Sequence, residues 1–399
     1  MLLALCIVTN ALNTADWPRR AGLRALTAAL GADNIRWVGG AVRDTLLNHE
    51  VADVDCATTH TPDMVIDLCA KAGIRTVPTG IDHGTVTAIL DDGPVEVTTL
   101  RHDVSTDGRR ATISFAKDWR EDAARRDFTI NALYAHPETL EISDYFGGLD
   151  DLAQHRVRFI GDARARIAED HLRILRYYRF QARFGSQLDD EAEHACADLA
   201  ETLKGLSRER IASELLNLLR LPDPHATIAR MRERCVLGVI LPEACAVHVT
   251  VLERLIEAER EQGFGPVALR RLAALLPPSR DIAESIAARL RLSRAQRARL
   301  VSAAERSTED ATNIEALAYQ ISPDFAVDRL LLLGEDARAL SHWQPPTFPL
   351  KGGAIVARGV AAGPQVARLL KAVEQRWMFE GFPDAARIEE LLTDELGKA

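Results

Sequence analysis

The chain has 399 residues, with 47% hydrophobic residues, 27% charged residues and a net charge of −9 at pH 7. That length exceeds one compact core and predicts two to four domains, while the acidic balance excludes a protein that coats nucleic acid through bulk positive charge. Six cysteines without any C-x-x-C pair exclude a disulfide framework and a zinc site, and reduced thiols point to the cytoplasm.

The opening "MLLALCIV" is apolar but short and lacks a basic flank, so 1–34 reads as an N-terminal extension with a first helix. No later apolar run reaches membrane length, and no membrane partner is expected. From 35 to about 160 the pattern is mixed α/β. "IRWVGG" reads as a strand into a turn, "AVRDTLLN" as a short helix and "VADVDCAT" as a second strand. "TPDMVIDLCAKAG" reads as a helix with Thr61 as cap, Pro62 at its first position and Gly73 as stop. "GTVTAIL" and "PVEVTTLR" form a hairpin around the turn "DDG". "HDVSTDGRRATISFAKDW" reads as a loop, "DAARRDFTINALY" as a helix, and "LEISD" and "RVRFIG" as short strands. After Asp162 helical periodicity takes over, with breaks near "LPDP", "LLPPSRD" and "HWQPPTFPLKGG".

The chemistry concentrates early. Asp53 and Asp55 lie two apart in a predicted strand, so their side chains leave one face, and Glu96 is a lone acid in a β-branched strand. Crowded carboxylates repel unless a cation joins them, and oxygen ligands without nearby His or Cys suit Mg²⁺. A D-x-D pair alone is common, and a solvated strand end is the plainer reading of it. The preceding "GGAVRD" changes the balance. Gly39 and Gly40 permit close approach of a phosphate, the following helix turns amides toward it, and Arg43 is a cation that can grip a triphosphate. No G-x-x-x-x-G-K-[ST] loop occurs.

Through "VGGAVRD", "DVD", "EVTTLR", "TDGRRA", "RRDFTINALY", "FGGLDDL" and "EDHLRILRYYRF", the chain resembles the class II tRNA CCA-adding nucleotidyltransferases and bacterial poly(A) polymerases, most of all the mitochondrial-type CCA-adding branch. The resemblance implies an α+β fold: a nucleotidyltransferase head with a mixed β-sheet at 35–150, then an all-helical neck (151–220), body (221–305) and tail (306–399). It implies that Asp53 and Asp55 hold Mg²⁺ and that Glu96 completes the acidic cluster. It also implies that Arg126 meets the nucleotide phosphates, and Asp127 with Asn131 the ribose side. For Asp127 a structural salt bridge is an equal reading. A loop that reshapes the pocket between C and A addition is implied at 102–119.

Asp170, Arg173, Arg176 and Arg179 recur every three residues and share a helix face, where an ordinary Asp–Arg ion pair is the plain reading. The resemblance places this helix against the incoming base. A carboxylate accepts hydrogen bonds and a guanidinium donates them, so an Asp170–Arg173 pair matches the amino group and unprotonated ring nitrogen that cytosine and adenine share. Arg176 and Arg179 then brace the helix or meet phosphates.

Arginine-rich 155–183 and "RLRLSRAQRAR" (289–299) are candidate phosphate contacts or plain solvated faces. Gly363-Pro364 opens a helix. Tyr177, Tyr178, Phe180 and Phe184, with Phe128, Ile130 and Leu133, read as core. His102-Asp103 lacks partners at metal-ligand spacing, which weighs against a phosphohydrolase. The expectation is an enzyme that adds or repairs the 3′-terminal CCA of tRNA from CTP and ATP, with no DNA partner. The alternatives are a poly(A) polymerase, a CC- or A-adding enzyme, and a non-catalytic RNA-binding protein on the same fold.

Overall fold

A computed structural model describes residues 11–106, 111–116 and 118–398. The apolar opening with Cys6, and the centre of the expected pocket-reshaping loop (107–110 and Lys117), lie outside the described residues. The chain divides into two compact units. One ends at Leu206 and takes in Glu233–Ile240; the other holds Ser207–Arg232 and the chain from Leu241 onward. This boundary cuts through the expected neck, and the breaks expected at 220 and 305 fall inside the second unit.

The first unit is built on a seven-stranded sheet. Its strands are β1 (Ile35–Val38), β2 (Asp55–Thr58), β3 (Arg75–Gly80), β4 (Thr85–Leu90), β5 (Gly93–Thr99), β8 (Leu133–Ala135) and β9 (Ile142–Asp144). Their spatial order is β3-β4-β5-β2-β1-β8-β9. Only β2 and β5 pair in parallel, so the sheet is mixed as expected. Val38, Ala57, Leu100, Ala132, Tyr134 and Ile160 pack as one cluster on it.

Three local expectations are corrected, and one strand was not expected. "DAARRDFTINALY" opens in the last turn of the helix Trp119–Ala124 and has one 3-10 turn at Thr129–Asn131; it ends as strand β8, because Tyr134 and Ala135 pair with Val38 and Trp37 and that tertiary pairing outweighs local propensity. "RVRFIG" contributes two isolated bridges, Phe128 to Phe159 and Arg156 to Gln187, and no strand. Its Arg156 and Arg158 turn instead to the buried Asp151 carboxylate. The segment read as a loop forms a separate hairpin of β6 (Arg101–Thr106) and β7 (Ala111–Phe115). Strand β3 carries no sequence signal, since it is a largely exposed edge strand containing Pro78 and has no core face to display.

Every regular element among the described residues of the second unit is a helix. Arg270 and Arg271, both 2% exposed, share the Glu259 carboxylate, and Arg270 also reaches Asp328. Nearer the C-terminus, Trp377 on the helix Pro364–Phe379 packs with Leu391 and Leu392 of Ala385–Lys398. No helix among the described residues is long and apolar enough to cross a membrane.

Candidate active site

The carboxylates come first. Asp55 opens β2 and is the direct Cα partner of Glu96 on parallel β5. Asp53, Asp55 and Glu96 are exposed while their neighbours Val54, Cys56, Val95 and Val97 are buried. This alternation turns the three acids away from the core. Asp53 lies outside the strand, a correction with a clear cause. The β1–β2 ladder ends at Val38–Asp55 because Gly39 turns the chain away, and continuing the β2–β5 register would set Asp53 against Pro94, which has no N–H to give.

Asp55 is exposed, yet the protein around it withdraws part of its carboxyl from water. Its carboxyl is pushed above the ordinary range by that desolvation, then by Glu96 and Asp53, with Arg126 pulling the other way. Such a donor set, all oxygen and mutually repelling, fits a hard divalent cation. Among the described residues no three His, Cys, Asp or Glu side chains close onto one point as a ligand cage. An ion held here would therefore complete its shell with water and substrate oxygens.

The glycine turn sits beside this row. Gly39 has φ +69°, a left-handed conformation that only glycine adopts without strain. A methyl group there would stand 3.5 Å from Arg126 Nη1 and 3.8 Å from the Asn131 carbonyl.

Arg43 is turned inward rather than held out to a ligand. It is 5% exposed, donates from Nε to Asp44 (2.8 Å) and from Nη1 to the Asn131 side-chain oxygen (2.5 Å), and lies 4.3 Å over the Phe184 ring. Burial lowers its pKa, with Asp44 opposing. Asn131 passes the chain on: its Nδ2 donates to Asp127 Oδ1 at 3.0 Å, and Asp127 Oδ2 accepts from Arg176 Nε at 2.8 Å and Nη2 at 2.6 Å. Burial alone would raise the Asp127 pKa, but Arg176, Asn131 and the Phe128 N–H outweigh it and hold the carboxyl below its usual range. Arg183 closes the series on Asp44 at 3.2 Å. A continuous polar path thus joins the glycine turn to the helix Arg173–Phe184.

Two residues beside Arg126 escaped the sequence reading. Asp122, 1% exposed, accepts from Arg126 Nη2 (3.3 Å), from Arg125 Nε (2.9 Å) and from the Tyr134 hydroxyl (2.6 Å). Tyr134 Oη in turn accepts from Arg126 Nε at 2.9 Å. The i,i+4 spacing of Asp122 and Arg126 was a usable signal; Tyr134 gave none while its segment was read as helix.

The helix expected to carry Asp170 begins only at Arg173. Asp170 is the extended residue that closes the preceding helix Ala163–Glu169 (φ −150°, ψ 104°), so it does not share the arginine face. Its Oδ1 accepts from the Leu172 N–H. Arg173 donates to Glu169 (2.5 Å), to the Arg166 carbonyl (2.7 Å) and to the Arg125 carbonyl (3.3 Å). Arg166 Nη2 donates to the Arg125 and Arg126 carbonyls at 2.5 and 2.7 Å, so the helix Ala163–Glu169 grips the backbone of the "RRD" segment. Arg179 lies 4.6 Å over the Phe180 ring. The aromatics of the helix Arg173–Phe184 are core, as expected: Tyr177 and Tyr178 are 0% exposed.

The arginines of 289–299 are mostly committed. Arg289, Arg291, Arg297 and Arg299 pair with Glu243, Glu209, Glu284 and Asp328, which favours a structural reading of that patch. Gly363 caps the helix opened by Pro364, as expected.

Two family models match the chain. Residues 35–158 match the poly A polymerase head domain, and 185–247 a probable RNA and SrmB-binding site of polymerase A. The mitochondrial CCA tRNA nucleotidyltransferase 1 of Mus musculus is 34% identical over 383 residues, covering 90% of this chain and 87% of the relative. A CCA-adding enzyme of Streptococcus pneumoniae is 43% identical over 199 residues, about half of each chain. Among solved structures, the Bacillus stearothermophilus CCA-adding enzyme in complex with CTP superposes with a TM-score of 0.74 at 23% identity, covering 95% of this chain and 99% of that one. The Thermotoga maritima CCA-adding enzyme complexed with tRNA gives 0.70 at 20% identity, covering 97% of each. At those identities the two structures establish likeness of fold.

Proposed function

The chain belongs to the family of CCA-adding tRNA nucleotidyltransferases, and on that premise we propose that it adds or repairs the 3′-terminal CCA of tRNA from CTP and ATP, releasing pyrophosphate. The observation that carries the proposal is the in-register Asp55–Glu96 pair beside the Gly39 turn, in a chain aligned over nine-tenths of its length with such an enzyme.

Asp53 and Asp55 would hold Mg²⁺, with Glu96 completing the acidic face. When bound, the metal would supply activation of the RNA 3′-hydroxyl and neutralisation of charge at the phosphates. The chain's own residues do the rest. Gly39 and Gly40 let the backbone approach the triphosphate, and Arg126 meets its charge. Asp127 and Asn131 border the ribose, fixed by Arg176 and by Arg43. In this arrangement Arg43 orients Asn131 before it can reach a phosphate. Asp170 accepts from the exocyclic amino group of cytosine or adenine and Arg173 donates to the ring nitrogen, so uracil and guanine would leave polar groups unpaired. We assign 35–150 as catalytic head, 151–220 as neck, 221–305 as body and 306–399 as tail. On the reduced-thiol pattern we place the protein in the cytoplasm; finding it in mitochondria, the compartment named for its vertebrate relatives, would replace that assignment.

The decisive experiment offers tRNA lacking its last three nucleotides CTP and ATP, separately and together, and sequences the product. Three added residues ending in A support the proposal. The head-domain description favours one second reading, a poly(A) polymerase, and a homopolymer tail would establish it. Asp55→Ala that leaves incorporation unchanged would revive a non-catalytic RNA-binding protein.

A further inference from the structure

Arg126 is held on two of its three guanidinium nitrogens. Nε donates to the Tyr134 hydroxyl at 2.9 Å and Nη2 to Asp122 at 3.3 Å, while Tyr134 donates to the same Asp122 carboxylate at 2.6 Å. Three groups thus close a ring of hydrogen bonds whose acidic member is 1% exposed and whose phenol is fully buried. The third nitrogen, Nη1, is the one turned to the glycine turn, 3.5 Å from where a Gly39 methyl would stand, and among the described residues the hydrogen bonds of the guanidinium run from Nε and Nη2. The backbone is pinned as well, since Arg166 donates to the Arg126 carbonyl at 2.7 Å. Arg126 retains 20% of its side-chain surface exposed, so it is anchored without being closed off.

The charges agree with the geometry. Burial, reinforced by Asp122 against the pull of Arg126, pushes the Tyr134 phenol well above its ordinary range, so the hydroxyl keeps its proton for Asp122. Burial would raise the Asp122 carboxyl, but Arg126 and Arg125 outweigh it and keep the group ionised. A planar guanidinium held at Nε and one Nη has a fixed plane, so its remaining nitrogen has a fixed direction.

We propose that Asp122 and Tyr134 are positioning residues that aim Arg126 Nη1 at a phosphate of the nucleotide seated on the Gly39–Gly40 turn. This rests on the nucleotidyltransferase reading and adds to it a device that supplies orientation rather than charge. Neither residue touches substrate; each acts through Arg126.

The test is a double-mutant cycle in the full chain with Tyr134→Phe, Arg126→Lys and both, following CTP incorporation into tRNA lacking CCA. Tyr134→Phe should raise the KM for both CTP and ATP about tenfold while melting within a few degrees of wild type. Arg126→Lys keeps the charge but cannot take both anchors, and should cost as much. In the Lys background, Tyr134→Phe should add less than about twofold. The same penalty in both backgrounds, or an unchanged KM in Tyr134→Phe, overturns the inference. Equilibrium binding of CTP separates this from the parent reading. A wild-type chain that binds CTP but transfers nothing to RNA refutes the activity alone, and the cycle is then read on binding. One that binds no nucleotide refutes both.

Discussion

Asp55 and Glu96 stand directly opposite each other on two parallel strands, and Glu96 raises the cost of charging Asp55. Two residues 41 apart in sequence therefore place like charges side by side, an arrangement that folding alone does not reward. Asp55→Ala should lower CTP incorporation at least about a hundredfold, by analogy with loss of a principal transition-state contact. Asp55→Asn should be as inactive yet melt higher than wild type, because a repulsion is removed. Radiolabelled incorporation and a thermal melt measure the two; an active Asn variant would remove Asp55 from catalysis.

Metal dependence separates chemistry from folding. A chelator should abolish incorporation, and added Mg²⁺ should restore it, while circular dichroism stays unchanged. The sheet is complete through its own hydrogen bonds, unlike small domains that fold only around a metal. Full activity in the chelator would refute the proposed role of the three acids.

The Asp127–Arg176 pair predicts a definite pH dependence. An aspartate held below its ordinary value contributes stability that is present above the unfolded pKa of about 3.9 and lost as pH falls through the lower folded value. Urea midpoints of wild type and Asp127→Asn should therefore differ at neutral pH and converge below about pH 4. Arg176→Met leaves a buried carboxylate without its cation and should cost about 3 kcal/mol at pH 7. A gap between wild type and Asp127→Asn that stays constant down to pH 3 would show that the pair is not what depresses this group.

Selectivity and stability should separate in the neck. Asp170 lies in the turn between two helices, and its removal should relax discrimination against UTP and GTP with little change in melting temperature. Arg173 also holds Glu169 and the Arg125 carbonyl, so Arg173→Ala should relax selectivity and lower the melting temperature together. Nucleotide competition on tRNA ending in CC reads the first, calorimetry the second. Unaltered selectivity in both variants would end the base-reading role.

The markers of the candidate site are local, which is why the sequence displays them. A glycine pair before a short helix, two aspartates with apolar neighbours and an arginine-arginine-aspartate run keep their meaning wherever the chain carries them. Helical periodicity likewise announced the C-terminal half, and the aromatics Tyr177 and Tyr178, read as core, are buried on the helix Arg173–Phe184. Other features depended on partners distant in sequence. Strand β8 exists because β1 offers it a ladder, and Asp53 leaves its strand because Gly39 and Pro94 offer none. Tyr134 meets Arg126 only after that pairing forms, and Arg43 faces inward because Asn131 and Phe184 are brought to it. Sequence periodicity reports which face of a segment is apolar. Which groups meet across that face is set by hydrogen-bond registry and side-chain packing, and those belong to the folded chain.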